Sequence, residues 1–446
     1  MSHEKAMENR SELVLLGINH HTAPIEVRER LAIPAGRLAD ATRSLLSAPG
    51  IREGLILSTC NRVELLTVHE PVPEQGGEHT HATLLRFLDE YFAVPPATIR
   101  PHLYEFRERE AVRHLFRVAA SLDSMVVGEP QILGQVKESY TVAKQVGGIG
   151  SGSGASLEQL LQSAFTAAKK VRSETQIGSS SVSIASVAVD LARKIFGSLA
   201  GKVVLLVGAG KMSELALRHL IQHGARHIIL TNRTLARAEA MAALLTGLDA
   251  VTTEIIPFDD LHAEAQRADI VITSTGAEQQ LFSRADAQHF LQRRRGRPMF
   301  FIDIAVPRDV DPRMNEVDGC FVYDIDDLQQ VAQAHQADRN REAAAAEQII
   351  TAEVARYQQR LHALDAVPAI RALQAQAEEL RLAEVARCQS RLAGLTPEQQ
   401  AAVDALTRSL TNKFLHAPLT AIRAAAEQGD GEALARLASL YTRPRQ

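Results

Sequence analysis

The sequence predicts an α/β multidomain chain in three parts: an α+β first third, a doubly wound parallel sheet in the middle, and an all-α tail led by one long helix. Three observations carry this. Short apolar runs at 203–207, 227–230, 270–274 and 299–304 alternate with helical stretches, the pattern of a parallel sheet. After Asp324 the strand pattern stops, and Ile350, Val354, Tyr357, Leu361 and Leu364 recur at helical spacing. Before residue 120, strand and helix patterns follow the order β-α-β-β-α-β.

In chain order, 12–19 reads as a strand and 34–47 as a helix with Pro34 near its start. Strands at 54–57 and 63–68 flank a polar turn, 58–62, and the Pro/Gly/Glu-rich stretch 70–78 reads as an exposed loop. A helix at 82–92, a strand near 103–106 and a helix at 108–120 complete a ferredoxin-like α+β unit. Helices follow at 130–144 and 156–175, joined by the Gly/Ser-rich 147–154, which reads as a flexible connector. The serines of 179–183 precede a helix at 184–196. In the tail, 326–364 is one helical pattern longer than an ordinary globular helix, punctuated by Pro368 and followed by helices to Tyr441. Such a tail suits oligomerisation. The domains expected are 11–172, 173–325 and 326–446.

Of the 446 residues, 46% are hydrophobic and 23% charged, the balance of a globular protein with several cores. Residues 1–10 lack the apolar stretch of a signal peptide, and no apolar run nears the length of a membrane span. Three scattered cysteines exclude a disulfide framework or zinc cluster, so a cytoplasmic setting without membrane attachment is expected. A net charge of −4 argues against a non-specific, strongly basic nucleic-acid binder. Any RNA ligand must be held by local patches and by shape.

The run 203–207 leads into Gly208-Ala209-Gly210-Lys211-Met212-Ser213 and then a helix. Gly208 suits a tight turn, and Gly210 lets backbone N–H groups approach a pyrophosphate at the helix N-terminus. Ser213 replaces the third glycine of the dinucleotide fingerprint but is small enough for close helix–sheet packing. At the end of the second strand, an NAD site places an acid on the ribose 2′-hydroxyl. Here the residues are Asn232-Arg233-Thr234, with Arg237 a turn later. A guanidinium suits a 2′-phosphate, so NADPH is expected. The alternatives are a Gly-rich turn without a ligand and a solvated arginine capping a helix.

Cys60 follows an apolar strand and sits among Ser58, Thr59, Asn61 and Arg62. Neighbouring positive charge and hydrogen-bond donors favour the thiolate, which is the nucleophile. A cysteine beside an arginine is also common as a structural residue, and both readings stand here. Cys320, before an apolar strand at 321–323, and Cys388, within a helix, read as packing residues. Asn19-His20-His21-Thr22 holds two adjacent histidines that point apart without a third ligand, so no metal is expected. A nicotinamide cofactor beside a nucleophilic cysteine suits reduction of an activated acyl group. Hydride reduces a thioester far more readily than it displaces oxygen from a carboxylate.

Several motifs together resemble the glutamyl-tRNA reductase family. They are Gly17-Ile18-Asn19-His20-His21-Thr22-Ala23-Pro24 with Arg28-Glu29, then Leu57-Ser58-Thr59-Cys60-Asn61-Arg62-Val63-Glu64. Leu122-Asp123-Ser124, Val127-Gly128-Glu129-Pro130-Gln131-Ile132-Leu133-Gly134-Gln135-Val136-Lys137 and Arg172-Ser173-Glu174-Thr175 follow. Gly208-Ala209-Gly210, Asn232-Arg233-Thr234 and Asp303-Ile304-Ala305-Val306-Pro307-Arg308-Asp309 complete the set. The resemblance spans nearly the whole chain, from about Leu13 to the 413–418 stretch. It implies a catalytic domain, a Rossmann NADPH domain, and a spinal helix leading to a helical dimerisation domain. It also implies reduction of glutamyl-tRNA(Glu) to glutamate-1-semialdehyde with release of tRNA, the first step of tetrapyrrole (porphyrin, heme) biosynthesis. Glutamate-1-semialdehyde aminomutase, the next enzyme, is a candidate partner.

By motif, Cys60 matches the family's nucleophile. Thr59, Asn61, Arg62, Ser124, Glu129, Pro130, Gln131 and Gln135 match its substrate pocket, and the 208–213 loop its cofactor site. Arg62 is a candidate partner for the substrate γ-carboxylate and Glu129 for its α-ammonium group. One position departs from the pattern: many relatives carry a histidine where this chain has Phe106. His102, expected to share a strand face with 106, and His20 or His21 are the candidate substitutes. A rival reading is an NADP-dependent small-molecule dehydrogenase resembling shikimate dehydrogenase, which needs neither Cys60 nor the tail.

Overall fold

A computed structural model describes residues 11–70, 76–125, 128–129, 131–150, 157–175, 177, 183–246, 250–333 and 339–441. Pro130, most of the expected 70–78 loop, the 151–156 part of the expected connector and all but Ser183 of 179–183 lie outside the described residues.

In the first third, β1 (Glu12–Asn19), β2 (Ile51–Ser58), β3 (Arg62–His69) and β4 (Tyr104–Arg107) form a sheet in the order β2-β3-β1-β4. Every pairing is antiparallel, giving the ferredoxin-like topology expected from the element order. Strand alternation sends Val14, Leu16 and Ile18 to one face, beneath α1 (Ile25–Leu31), α2 (Leu38–Leu46) and α3 (Gly76–Phe92). Leu15, Leu66 and Val68 face the other way, towards α4 (Glu108–Ala119), α5 (Gln131–Gln145) and α6 (Leu157–Glu174). With both faces covered, the strands read as continuous apolar runs rather than alternating ones. The expected flexible connector is corrected at its start. The Gly54 N–H donates to the Gly148 carbonyl at 2.8 Å. A Cβ on Gly148 would lie 2.6 Å from the Gly54 carbonyl oxygen, so this glycine is packed against β2.

The middle sheet is parallel, in the order β10-β9-β8-β5-β6-β7: β5 (Val203–Val207), β6 (His227–Thr231), β7 (Thr252–Ile255), β8 (Ile270–Thr273), β9 (Met299–Asp303) and β10 (Cys320–Tyr323). This is the Rossmann order, with its switch point between β5 and β8. The helix α7 (Ile184–Phe196) opens the unit with a capping box between Ser183 and Ser186. α8 (Lys211–Gln222), α9 (Leu235–Ala243) and α10 (Arg284–Arg293) follow within it. Strand β7 was not expected. It is an edge strand of alternating exposure whose Thr252, Thr253 and Glu254 supply no apolar run.

After Asp324 come α11 (Ile325–Gln333), whose Ile325 and Leu328 pack into the core of the parallel sheet, and α12 (Arg339–Arg387), which leads the tail. Ile350, Val354 and Tyr357 of α12, at the helical spacing expected, pack into the core of the first domain. The break expected at Pro368 does not occur, and α12 runs through it. Ala366 and Leu373, on either side, pack with Ile422 and Ala426 of α13 (Pro397–Glu427), and this packing offsets the lost backbone bond. Helix α14 (Gly431–Tyr441) ends the described chain. Cys388 occupies the turn after α12 rather than a helix interior, and Cys320 is buried. No helix among the described residues is long and apolar enough to cross a membrane.

Candidate active site

The β2–β3 connection is a turn held by its own side chains. Thr59 Oγ1 accepts the backbone N–H groups of Asn61 and Arg62, each at 3.1 Å, and the Thr59 N–H donates to the Arg62 carbonyl at 2.9 Å. Cys60 stands at the tip, half-buried. It lines a cavity of about 20 Å³ with Thr59, Asn61, Arg62, Ser124, Glu129, Gln131, Ile132 and Gln135. Eight residues singled out in the sequence are therefore brought together, although they come from three separate segments. The space holds little more than one water, so a glutamyl group needs side chains to move aside. Ser124 Oγ and Gln131 Nε2 are buried without a hydrogen-bond partner among the described residues, as are both ring nitrogens of His20. Orphaned polar atoms in a closed site mark places for a ligand to satisfy.

Beneath the turn lies a buried charged network. The Arg62 guanidinium, 1% exposed, donates to Glu64 at 2.7 Å, to the Asp123 carboxylate at 3.0 Å and to the Asp123 carbonyl. Glu64 also accepts from Tyr104 at 2.5 Å and lies 2.8 Å from His114 Nε2. Burial alone would raise the Glu64 carboxyl, yet Arg62 and His114 hold it well below the usual range. Arg62 is thus committed to the protein, and pairing it with a substrate carboxylate would require breaking these bonds.

The expectation of an acidic thiol is overturned. Burial pushes Cys60 up to about 12 and the Glu129 carboxylate adds to this, outweighing Arg28 and Arg62. Glu129 is itself pushed up to about 7 by burial, opposed by a hydrogen bond from the Ile184 N–H. Burial, with His21 and the two arginines adding, lowers His20 to about 2 and leaves its ring neutral. His102 is not on the strand: it sits in the 3-10 turn Arg100–His102, with Nδ1 2.7 Å from the Thr22 carbonyl oxygen. Phe106 packs 4.8 Å from the His114 ring and 5.3 Å from Tyr104.

At the switch point of the parallel sheet, Gly208 has φ +104°, and a Cβ there would lie 2.5 Å from the Ser274 carbonyl oxygen. Gly210 opens onto empty space, Lys211 is exposed and Met212 and Ala209 are half-buried, while Ser213 is buried as close helix–sheet packing requires. Asn232 Nδ2 donates to the Thr234 carbonyl at 2.9 Å. Arg233 is exposed, and its charge acts on the Asp309 carboxyl, opposing the effect of burial there. The glycine turn and the open helix start fit a dinucleotide.

Sequence reasoning gave no role to Arg28, Asp303 or Asp309, although it quoted the motifs that hold them. Burial raises Asp303 to about 8, with Asp309 adding; Asp303 accepts from Thr273 at 2.8 Å and from the Val310 N–H at 2.9 Å. Burial also raises Asp309, to about 6; it accepts the Thr275 N–H at 2.9 Å and hydroxyl at 2.5 Å. The two carboxyls pin the ends of β8 and β9 beside the cofactor loop. Cys60 belongs with Ile25 and Met125 to the apolar cluster that also takes in Ala209, Met212, Ile302, Ile304 and Val306. The cysteine turn therefore lies on the seam between the first domain and the nucleotide domain.

Family models match three consecutive segments: the N-terminal domain of glutamyl-tRNA(Glu) reductase over residues 16–175, shikimate/quinate 5-dehydrogenase over 190–331, and the glutamyl-tRNA(Glu) reductase dimerisation domain over 345–442. The chain is 52% identical to glutamyl-tRNA reductase 2 of Koribacter versatilis, covering 93% of this chain and 91% of the relative. It is 43% identical to glutamyl-tRNA reductase of Pelobacter propionicus, covering 94% and 92%. Among solved structures, glutamyl-tRNA reductase from Methanopyrus kandleri is 30% identical, covering 96% and 99%, with a TM-score of 0.46.

Proposed function

The chain belongs to the glutamyl-tRNA reductase family, and on that premise we propose that it reduces glutamyl-tRNA(Glu) to glutamate-1-semialdehyde through a thioester on Cys60. This is the first step of tetrapyrrole synthesis. The observation that carries the reading is the placement of Cys60: it shares a cavity with the orphaned Ser124 and Gln131 groups and lies on the seam with the dinucleotide-binding sheet. The likeness to shikimate dehydrogenases is confined to 190–331 and accounts for neither Cys60 nor the tail.

In the first half-reaction Cys60 Sγ attacks the ester carbonyl, a C–S bond forms, and the C–O bond to the tRNA ribose breaks. The thiol proton must leave as Sγ attacks and reach the departing ribose oxygen. Glu129 is the carboxyl lining the same cavity, and a value of about 7 suits it to accept and return a proton near neutral pH. Thr59, Asn61, Ser124, Gln131 and Gln135 offer the polar groups that orient the glutamyl moiety. Bound NADPH supplies the hydride that reduces the thioester. The 208–213 loop would hold its pyrophosphate, and Asn232, Arg233 and Thr234 its 2′-phosphate end. The domain division is proposed as 11–172, 173–325 and 326–446, with a cytoplasmic homodimer joined through the C-terminal helices. Transfer of the aldehyde to the aminomutase is a further expectation of the family.

The test uses full-length protein with radiolabelled glutamyl-tRNA. Without cofactor, wild type should acquire covalent label; with NADPH, in preference to NADH, it should release the aldehyde. Cys60→Ser should remain folded and do neither. Aldehyde formation at the wild-type rate by the serine variant would sink the thioester mechanism.

A further inference from the structure

Between the first domain and the nucleotide domain runs a charged strut that the reaction as described does not use. Arg308, which follows β9, reaches across the seam to α1. Its Nη2 lies 3.0 Å from Glu29 Oε1, its Nε 3.1 Å from Glu29 Oε2, and its Nη1 3.0 Å from Glu26. The Arg308 side chain is 9% exposed and Glu29 25%, so the Glu29 pair is partly shielded from water and salt, whereas Glu26 is 57% exposed. A second tie runs the opposite way: Arg28, on the same helix and 1% exposed, donates to Asp326 at the start of α11, and Asp326 also accepts the Ile25 N–H. Arg28 donates as well to the Cys60 carbonyl at 2.8 Å. Helix α1 is therefore fixed to the nucleotide side by both ties and to the cysteine turn by the second.

The neighbour of Arg308 faces inward. Asp309 holds Thr275 by two hydrogen bonds, and Ser274, one residue before, abuts Gly208 in the cofactor loop. A short chain of contacts thus joins Glu29, Arg308, Asp309, the 274–275 turn and Gly208. We propose that Arg308 is a positioning residue for hydride transfer: clamped by Glu26 and Glu29, it docks the nucleotide domain so that its cofactor crevice faces Cys60. Arg308 touches no reacting atom. Its loss leaves the cysteine turn and the cofactor loop intact but lets the two separate. This deepens the proposed function and rests on it.

The experiment separates the two half-reactions in the full-length protein. Label transfer from glutamyl-tRNA to Cys60 is measured without cofactor, and reduction of the preformed thioester is measured in a single turnover with NADPH. NADPH binding is followed by its fluorescence. For Arg308→Ala we expect label transfer and NADPH affinity within about twofold of wild type, and reduction slowed at least tenfold. Glu26→Gln with Glu29→Gln, on the other side of the seam, should act in the same direction. Arg308→Glu combined with Glu29→Arg should recover part of the rate. Undiminished reduction in both the Arg308 and the double glutamate variants would overturn the docking role alone, as would equal losses in both half-reactions. Wild type that forms no thioester would overturn the proposed function and this role with it.

Discussion

Glu129 carries a structural and a chemical consequence at once, because its carboxyl is buried beside Cys60 and accepts the Ile184 N–H that starts α7. Burial raises it from 4.5 to about 7 in the folded chain. A group whose folded value is raised contributes stability that is fully present below the unfolded value and is lost as pH rises through the folded one. Between pH 4.5 and 7 the folded state therefore holds a proton that the unfolded state has released. Glu129→Gln removes this dependence. Its stability relative to wild type should increase from pH 5 to pH 8 by up to about 3 kcal/mol, as read by urea unfolding. A difference unchanged across that range would show that the carboxyl is already ionised in the fold. The placement of Cys60 in a polar turn after an apolar strand was legible. Its raised pKa was not, because burial and then the Glu129 carboxylate, both set by the tertiary fold, outweigh Arg28 and Arg62.

Among the elements, the β5–α8 turn has a geometry that leaves little freedom. Gly208 combines a left-handed φ with an approach to Ser274 that no Cβ can occupy. Gly208→Ala must therefore push β8 away from β5 at the cofactor crevice. We expect NADPH affinity to fall at least tenfold and the melting temperature to drop, measured by fluorescence titration and calorimetry; binding within twofold of wild type would show that the turn can relax. Helix α7 was readable to both ends because its Ser183 cap and apolar face are local features. Strand β7 was not, since an edge strand needs no apolar run, and α1 was not, since its buried Arg28 looks solvent-facing in sequence. Pro368 misled for a related reason. Packing of α12 on α13, 50 residues on, outweighs a local breaker.

Across the whole molecule, α12 ties the parts together, packing its first half into the core of the first domain and its second against α13 and α14. Leu406, Leu410 and Phe414 recur every fourth residue on α13 and remain exposed, Phe414 at 80%. An apolar stripe of this kind on the dimerisation segment is suited to a second copy. Phe414→Asp should shift the protein from dimer to monomer in light scattering; a dimer of undiminished affinity would place the interface elsewhere.

Sequence alone determined the three-part order, the ferredoxin-like and Rossmann topologies, the cysteine turn and the glycine loop. All of these are written in local periodicity and turn chemistry, which neighbouring residues dictate. Only the tertiary structure decided which charges are spent on one another, that the cysteine turn faces the nucleotide domain across a seam, and that Arg308 and Arg28 hold that seam. These properties depend on groups brought together from positions up to about 300 residues apart, such as Arg28 and Asp326. Burial then sets their electrostatics, and burial is a property of the folded chain.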